Sequence, residues 1–99
     1  MAEGPVLIHV WDVDPAEESS DIQRLEELFA HQIATDPGFV SARILRSDDR
    51  TSMAVLIEMR SVEDRQRVEQ LPEVRETLDH LHSVNLVLRL YDQVKVYTA

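Results

Sequence analysis

The chain of 99 residues contains no cysteine, so neither a disulfide nor a thiolate metal site is available to stabilise it. It has no apolar run near the ~20 residues that cross a bilayer, and its first residues carry no basic segment followed by an apolar one. We therefore expect a soluble, cytoplasmic protein. A chain of this length is too short for two domains, so residues 1–99 are expected to form a single one.

Basic residues are scarce beside acidic ones, since ten Lys and Arg stand against nineteen Asp and Glu and give a net charge of −9. Such a charge repels phosphate backbones and anionic lipid heads, which argues against nucleic-acid and membrane partners. The partners that this charge allows are neutral or cationic molecules, or a second copy of the chain. The sequence also lacks a Gly-rich phosphate loop, a Ser nucleophile elbow and a cysteine nucleophile. Kinase, dehydrogenase and acyl-hydrolase activities therefore have no support.

Hydrophobic periodicity predicts the element order β-α-β-β-α-β. The expected strands cover residues 5–13, 39–46, 51–59 and 84–97, the last with a bulge at 92–93. The expected helices cover about 19–35, 62–70 and 72–81, the last two being one helix broken at Pro72. This order is typical of the α+β ferredoxin-like fold, a four-stranded antiparallel sheet with the helices on one face.

Local signals predict where the helices begin and end. Ser19, Ser20 or Asp21 is expected to cap the first helix, and Ser61 the second. The first helix is expected to stop at residues 36–38, because Pro cannot continue a helix and Gly adopts positive φ at little cost.

The predicted strands carry apolar residues at both parities, and one layer of helices covers only one face of a sheet. The parity expected to face away from the helices carries Leu7, Trp11, Leu45, Ala54, Leu56, Val87 and Tyr91. Because a monomer would leave this surface bare, we expect a two-fold homodimer whose sheets pack face to face at roughly 10 Å. Sheet twist leaves room there for a small ligand, although packing alone also explains the pattern.

Residues 37–47, Pro-Gly-Phe-Val-Ser-Ala-Arg-Ile-Leu-Arg-Ser, follow an amphipathic helix and precede the segments 53–58 and 61–64. These segments resemble the antibiotic biosynthesis monooxygenase (ABM) superfamily of dimeric α/β barrels, over nearly the whole chain from residue 7 to about residue 96. The resemblance implies a cofactor-independent monooxygenase that acts on an aromatic polyketide or a related polycyclic phenol. Two alternatives stay open: a polyketide cyclase or isomerase on the same scaffold, and a non-catalytic dimer that binds a small aromatic molecule.

In the oxygenases of this family a strand-one Asn faces the cavity, and a Trp lies near the end of strand three. His9 stands at the first of these places. Arg60 stands at the second, or Met59 does if the register slips by one residue. Haem-degrading enzymes also belong to this family, and these departures argue against that activity here. They leave the expected fold and dimer unchanged. His9 and Arg60, which stand at these two places, are the candidate catalytic residues.

His9 is also the best candidate for a base on chemical grounds, because an imidazole with a pKa of about 6.5 takes up protons near neutral pH. The alternative is a core or interface histidine that is hydrogen-bonded to a neighbour. Trp11, at the same parity as His9, is expected either to stack on a planar ring or to anchor the dimer.

Charged residues inside strands are costly unless they are paired or exposed. Arg43, Glu58 and Arg89 are therefore expected either to line a polar substrate-binding cavity or to pair at an exposed edge. Tyr91 offers its hydroxyl to a substrate or to the partner chain.

His80 and His82 lie in the predicted last helix, where residues two apart point in nearly opposite directions and cannot share a metal ion. Glu76 and His80 are four apart and can meet, but two ligands fall short of a catalytic zinc set. The sequence therefore predicts neither a metal nor another cofactor.

Overall fold

The computed structural model describes residues 4–80 and 83–99, and within them every side chain except those of residues 80, 83–86 and 88. The strands are β1 (Val6–Val13), β2 (Phe39–Arg46), β3 (Ser52–Met59) and β4 (Ser83–Tyr91). The helices are α1 (Glu18–Leu28), which continues into a π-helical turn over Phe29–Ile33, α2 (Val62–Glu69) and α3 (Pro72–His80). The predicted element order, including the break at Pro72, is confirmed.

The four strands form one antiparallel sheet in the order β2-β3-β1-β4, so β1 and β3 lie at its centre. Buried residues of the helices, such as Leu25, Leu28, Val68 and Val74, form a single core with one face of β1 and β3. The helices therefore cover one face and leave the other open. This arrangement confirms the predicted α+β ferredoxin-like fold.

The helix-covered face carries one parity of the central strands, and this parity differs from the predicted one on β1. Leu7 and Trp11 are buried beneath the helices, so the expectation that they face away from them is wrong. Val6, Ile8 and Val10 take the open face instead, where Ile8 pairs with Leu56 and Val10 pairs with Ala54. Because β1 is apolar at both parities, its alternation held no signal that distinguishes one face from the other.

Helix α1 begins earlier than predicted. A turn at Asp14 starts it, since Asp14 Oδ1 accepts a hydrogen bond from the Ala16 N–H at 2.9 Å, and the Asp14 carbonyl accepts one from the Glu17 N–H at 2.8 Å. Residues 19–21 therefore lie inside the helix, and the prediction that one of them caps it is wrong. The Ser61 cap of α2 is confirmed, because Ser61 Oγ accepts a hydrogen bond from the Asp64 N–H at 3.1 Å.

Gly38 does not adopt a positive φ, contrary to the prediction. Glycine is required there by close packing, since a Cβ at this position would lie 2.2 Å from Cγ of Asp64. The Arg67 guanidinium donates hydrogen bonds to both Asp36 and Asp64, and these bonds lower the pKa of both carboxyl groups. The loop before β2 is thereby held against α2.

Strand β4 ends at Tyr91, and residues 92–99 form no strand, so the predicted extended stretch to residue 97 is too long. The reason is that Tyr91 pairs with Val6, the first residue of β1, beyond which β1 offers no further partner. Leu81 and His82 lie outside the described residues, as do the side chains of residues 84–86 and 88 in the predicted last strand. None of the helices in the described part is long and apolar enough to cross a membrane.

Candidate functional site

A cavity of about 240 Å³ lies between the sheet and the helices and opens partly to the outside. The sheet contributes Leu7, His9, Trp11, Val55, Ile57 and Met59 to its lining. The helical segments contribute Leu25, Leu28, Phe29, Ile33, Arg65, Val68, Glu69, Val74, Arg75 and Leu78. The volume exceeds the roughly 150 Å³ that accepts one benzene ring and falls below the roughly 300 Å³ of the smallest drug-sized sites. The cavity therefore suits about two fused rings, or the buried part of a larger planar molecule.

His9 reaches this cavity because β1 turns every second residue toward the helices. Its side chain is 5% exposed, and its Nε2 atom has no hydrogen-bond partner in the described part of the chain. Burial lowers the pKa of His9 below its usual value of 6.5, although the negative charge of Glu69 acts in the opposite direction. His9 is therefore neutral at pH 7 and able to accept a proton.

Trp11 lies two residues along the same strand face, roughly 7 Å from His9 between their Cα atoms. It is 1% exposed, and its indole Nε1 also has no hydrogen-bond partner among the described residues. Its ring thus lines the cavity within the protomer. The prediction that Trp11 and His9 share one face is confirmed.

Sequence reasoning missed Arg65, Glu69 and Arg75, the charged residues in the lining. Arg65 Nη1 donates to Glu69 Oε2 at 2.7 Å, and Arg65 Nε is buried without a partner among residues 4–80 and 83–99. Arg75 instead has partners, since its Nε donates to the Glu69 carbonyl at 3.3 Å and its Nη2 to Gln70 Oε1 at 3.0 Å. The one signal in the sequence was the four-residue spacing of Arg65 and Glu69, which is equally common on exposed helices.

Four of the predicted site residues lie on the open face, away from His9. Glu58 and Tyr91 both pair with Val6, Arg89 pairs with Ile8, and Arg43 pairs with Leu56. The structure therefore does not bring Arg43, Glu58, Arg89 or Tyr91 into the cavity. Their participation in substrate binding stays a prediction, and it requires a ligand on the open face.

Arg60 follows β3 directly and is exposed, with its backbone N–H donating to the Gly38 carbonyl at 2.8 Å. It does not contribute to the cavity lining described above, whereas Met59 does and is 1% exposed. Of the two alternatives for the end of strand three, Met59 thus faces the cavity. The catalytic assignment of Arg60 stays a prediction without a contact to His9 in support.

Comparison with known proteins gave matches among solved structures, while no protein-family model and no curated protein matches the sequence. A variant of SnoaB, a cofactor-independent oxygenase from Streptomyces nogalater, is 23% identical with a TM-score of 0.77 over 97% of each chain. A protein from Nitrosomonas europaea, provisionally named an antibiotic biosynthesis monooxygenase, is 15% identical with a TM-score of 0.79 over 95% of this chain and 93% of that one. The chain therefore shares its fold with these two proteins.

A provisionally named antibiotic biosynthesis monooxygenase from Caulobacter crescentus has the same relation, with 17% identity and a TM-score of 0.79 over 94% of this chain and 92% of that one. The resemblance to the ABM superfamily is thus confirmed at the level of the fold. Because one fold supports many different reactions, the reaction of this protein depends on the residues that line its cavity.

Proposed function

We propose that this protein is a cofactor-independent monooxygenase that oxidises an aromatic polyketide or a related polycyclic phenol in antibiotic biosynthesis. The observation that carries the proposal is His9, which lines an apolar cavity sized for fused rings and whose buried Nε2 atom has no partner in the described part of the chain. Burial also lowers the pKa of His9, so the imidazole is neutral at pH 7. The fold shared with SnoaB, itself a cofactor-independent oxygenase, supports the same reaction class.

The chemistry begins with proton removal. His9 takes a proton from an acidic C–H or O–H group of the substrate, and the rings delocalise the charge of the resulting carbanion or phenolate. This electron-rich anion reduces O₂ directly, which is why no cofactor is needed. For an anthrone, the ring CH₂ group loses two hydrogens and becomes a carbonyl with one oxygen atom. The second oxygen atom leaves as water, so anthrone and O₂ give quinone and water in a four-electron oxidation.

The cavity walls favour this reaction in two ways. Burial holds the pKa of His9 below its usual value, so the imidazole is in its basic form at neutral pH. The apolar side chains pack against flat rings and exclude water from the reacting carbon.

The open face supports a second copy of the chain as the partner. One row of paired residues crosses all four strands on this face and is entirely apolar, consisting of Leu45, Ala54, Val10 and Val87. Three members of this row are exposed, so the protomer leaves an apolar band uncovered. We infer that a homodimer forms with two such faces in contact.

Oxygen uptake with an anthrone tests the reaction, using purified protein treated with a chelator and an anaerobic control. We expect consumption above the spontaneous rate for the wild type, and a loss of about 100-fold or more in His9→Gln, the usual contribution of a positioned base. His31→Gln is the matched control, because His31 is exposed on the π-helical turn, and it should keep the full rate.

Absence of any enhancement by the wild type would overturn the oxygenase proposal for anthrones and favour a cyclase or a binding dimer. A full rate in His9→Gln would remove His9 from the role of base.

A further inference from the structure

Three residues that line one cavity each have a buried polar side-chain atom without a hydrogen-bond partner among residues 4–80 and 83–99. These atoms are His9 Nε2, Trp11 Nε1 and Arg65 Nε. Folded proteins leave very few buried polar atoms unpaired, and each exception calls for an explanation. The proposed function uses His9 and leaves the other two atoms without a role. Because all three residues line the same apolar space, a ligand bound there can supply the missing partners.

The chemistry of these two atoms specifies what the ligand must carry. An indole N–H and a guanidinium N–H are donors only, and the guanidinium does not lose its proton in proteins. Both therefore require acceptor atoms on the ligand. An aromatic hydrocarbon fills the volume but leaves both donors unpaired, whereas a ring carbonyl, a phenol or a phenolate provides the acceptor.

Arg65 is held in place for this task by its own helix. Its Nη1 is hydrogen-bonded to Glu69 Oε2 at 2.7 Å, one turn further along α2. This bond occupies one part of the guanidinium fork, and the buried Nε is left without a partner in the described part of the chain. Arg75 lines the same cavity, but its Nε and Nη2 donate to the Glu69 carbonyl and to Gln70.

We propose that Arg65, oriented by Glu69, is a binding residue that donates from Nε to a carbonyl or phenolate oxygen of the ligand, with Trp11 Nε1 as a second donor to ligand oxygen. This inference rests on the proposed function for the class of ring, and on the unpaired donors for the oxygen. A guanidinium beside that oxygen also stabilises the negative charge that develops when the base removes a proton. Recognition of oxygen and acidification of the substrate thus come from the same contact.

The test compares two ligands that share their rings and differ in one oxygen, 1-naphthol and naphthalene, by equilibrium dialysis. We expect the wild type to bind 1-naphthol at least about tenfold more tightly, the usual size of a hydrogen bond to a charged group. Arg65→Met should lose about tenfold in affinity for 1-naphthol and keep its affinity for naphthalene. Arg65→Lys should also lose affinity, since it keeps the charge without the Nε donor.

Arg24→Met is the matched control, because Arg24 is exposed on α1 and is not among the lining residues, and it should leave both affinities within twofold. The inference is overturned if Arg65→Met binds 1-naphthol as well as the wild type does, or if it loses both ligands equally, because equal loss reports a change of cavity shape. Binding needs no turnover, so a negative oxygen-uptake result leaves this outcome intact. Conversely, if the wild type consumes oxygen and Arg65→Met binds 1-naphthol as tightly as the wild type, only the inference about Arg65 is contradicted.

Discussion

The two faces of the sheet are made of alternating residues from the same strands and carry different chemistry. The face under the helices has His9 and Trp11 in an apolar wall, and apart from Arg46 at the end of β2 it holds no charged residue among the described strand positions. The open face combines an apolar row with Arg43, Glu58 and Arg89. Apolar content alone therefore does not separate the faces, whereas the placement of strand charges does, because a charge under the helices would be buried without water.

The largest expected effect comes from the same charge placed on each face of the sheet, at adjacent positions of β3. Val55→Asp places a carboxylate at a position that is 2% exposed, in the cavity wall, and should cost several kcal/mol, enough to unfold a protein of ordinary stability. Leu56→Asp lies on the open face and should keep a cooperative fold while weakening the dimer. Circular dichroism melts and sedimentation velocity measure the two effects.

The assignment of the faces is contradicted if both variants lose a similar amount of stability, or if the Val55→Asp protein is folded. A Leu56→Asp protein that sediments as the wild type does contradicts the proposed homodimer.

The parts of the fold that the sequence predicted correctly depend on local signals. The cap at Ser61 and the break at Pro72 each follow from a few neighbouring residues. The face of β1 was predicted wrongly because the choice depends on which neighbour covers the strand, and both parities of β1 are apolar. A one-residue change of parity exchanges the two sets of side chains completely.

In the candidate site, too, the sequence predicted only what depends on a local signal. The shared face of His9 and Trp11 followed from the two-residue period of a strand. Arg65 and Glu69 were not predicted, because their relation to the cavity arises only when α2 packs on the sheet. In sequence they read as an ordinary surface ion pair of a helix.

A smaller effect is the pH dependence of stability that His9 gives to the helix-covered face. Burial lowers the pKa of His9 in the folded chain, so the unfolded chain binds the proton first as the pH falls below about 6.5. The stability from a neutral His9 is therefore complete above that pH and is lost between about 6.5 and the lowered pKa. The loss is at most about 1.4 kcal/mol per pH unit. Urea unfolding at pH 7.5, 6.5 and 5.5 measures it.

His9→Gln should show a shallower loss of stability over this range, and equal slopes in the two proteins contradict a buried neutral His9. The carboxyl groups with lowered pKa values do not interfere, since Asp36 and Asp64 titrate below their usual value of 3.8 and Asp49 titrates at about 2.

The smallest expected effect is on the open face itself. Arg89→Gln and Tyr91→Phe should each leave 1-naphthol binding and anthrone oxidation within about twofold of the wild type, because these side chains lie across the sheet from His9.

Trp11→Phe on the cavity side keeps an aromatic ring and removes the Nε1 donor, so it should weaken 1-naphthol binding several-fold. A tenfold loss of 1-naphthol affinity in Arg89→Gln, with no loss in Trp11→Phe, would contradict binding in the cavity. It would instead place the ligand between the open faces of two protomers, where Arg43, Glu58 and Arg89 were expected from the sequence to bind it.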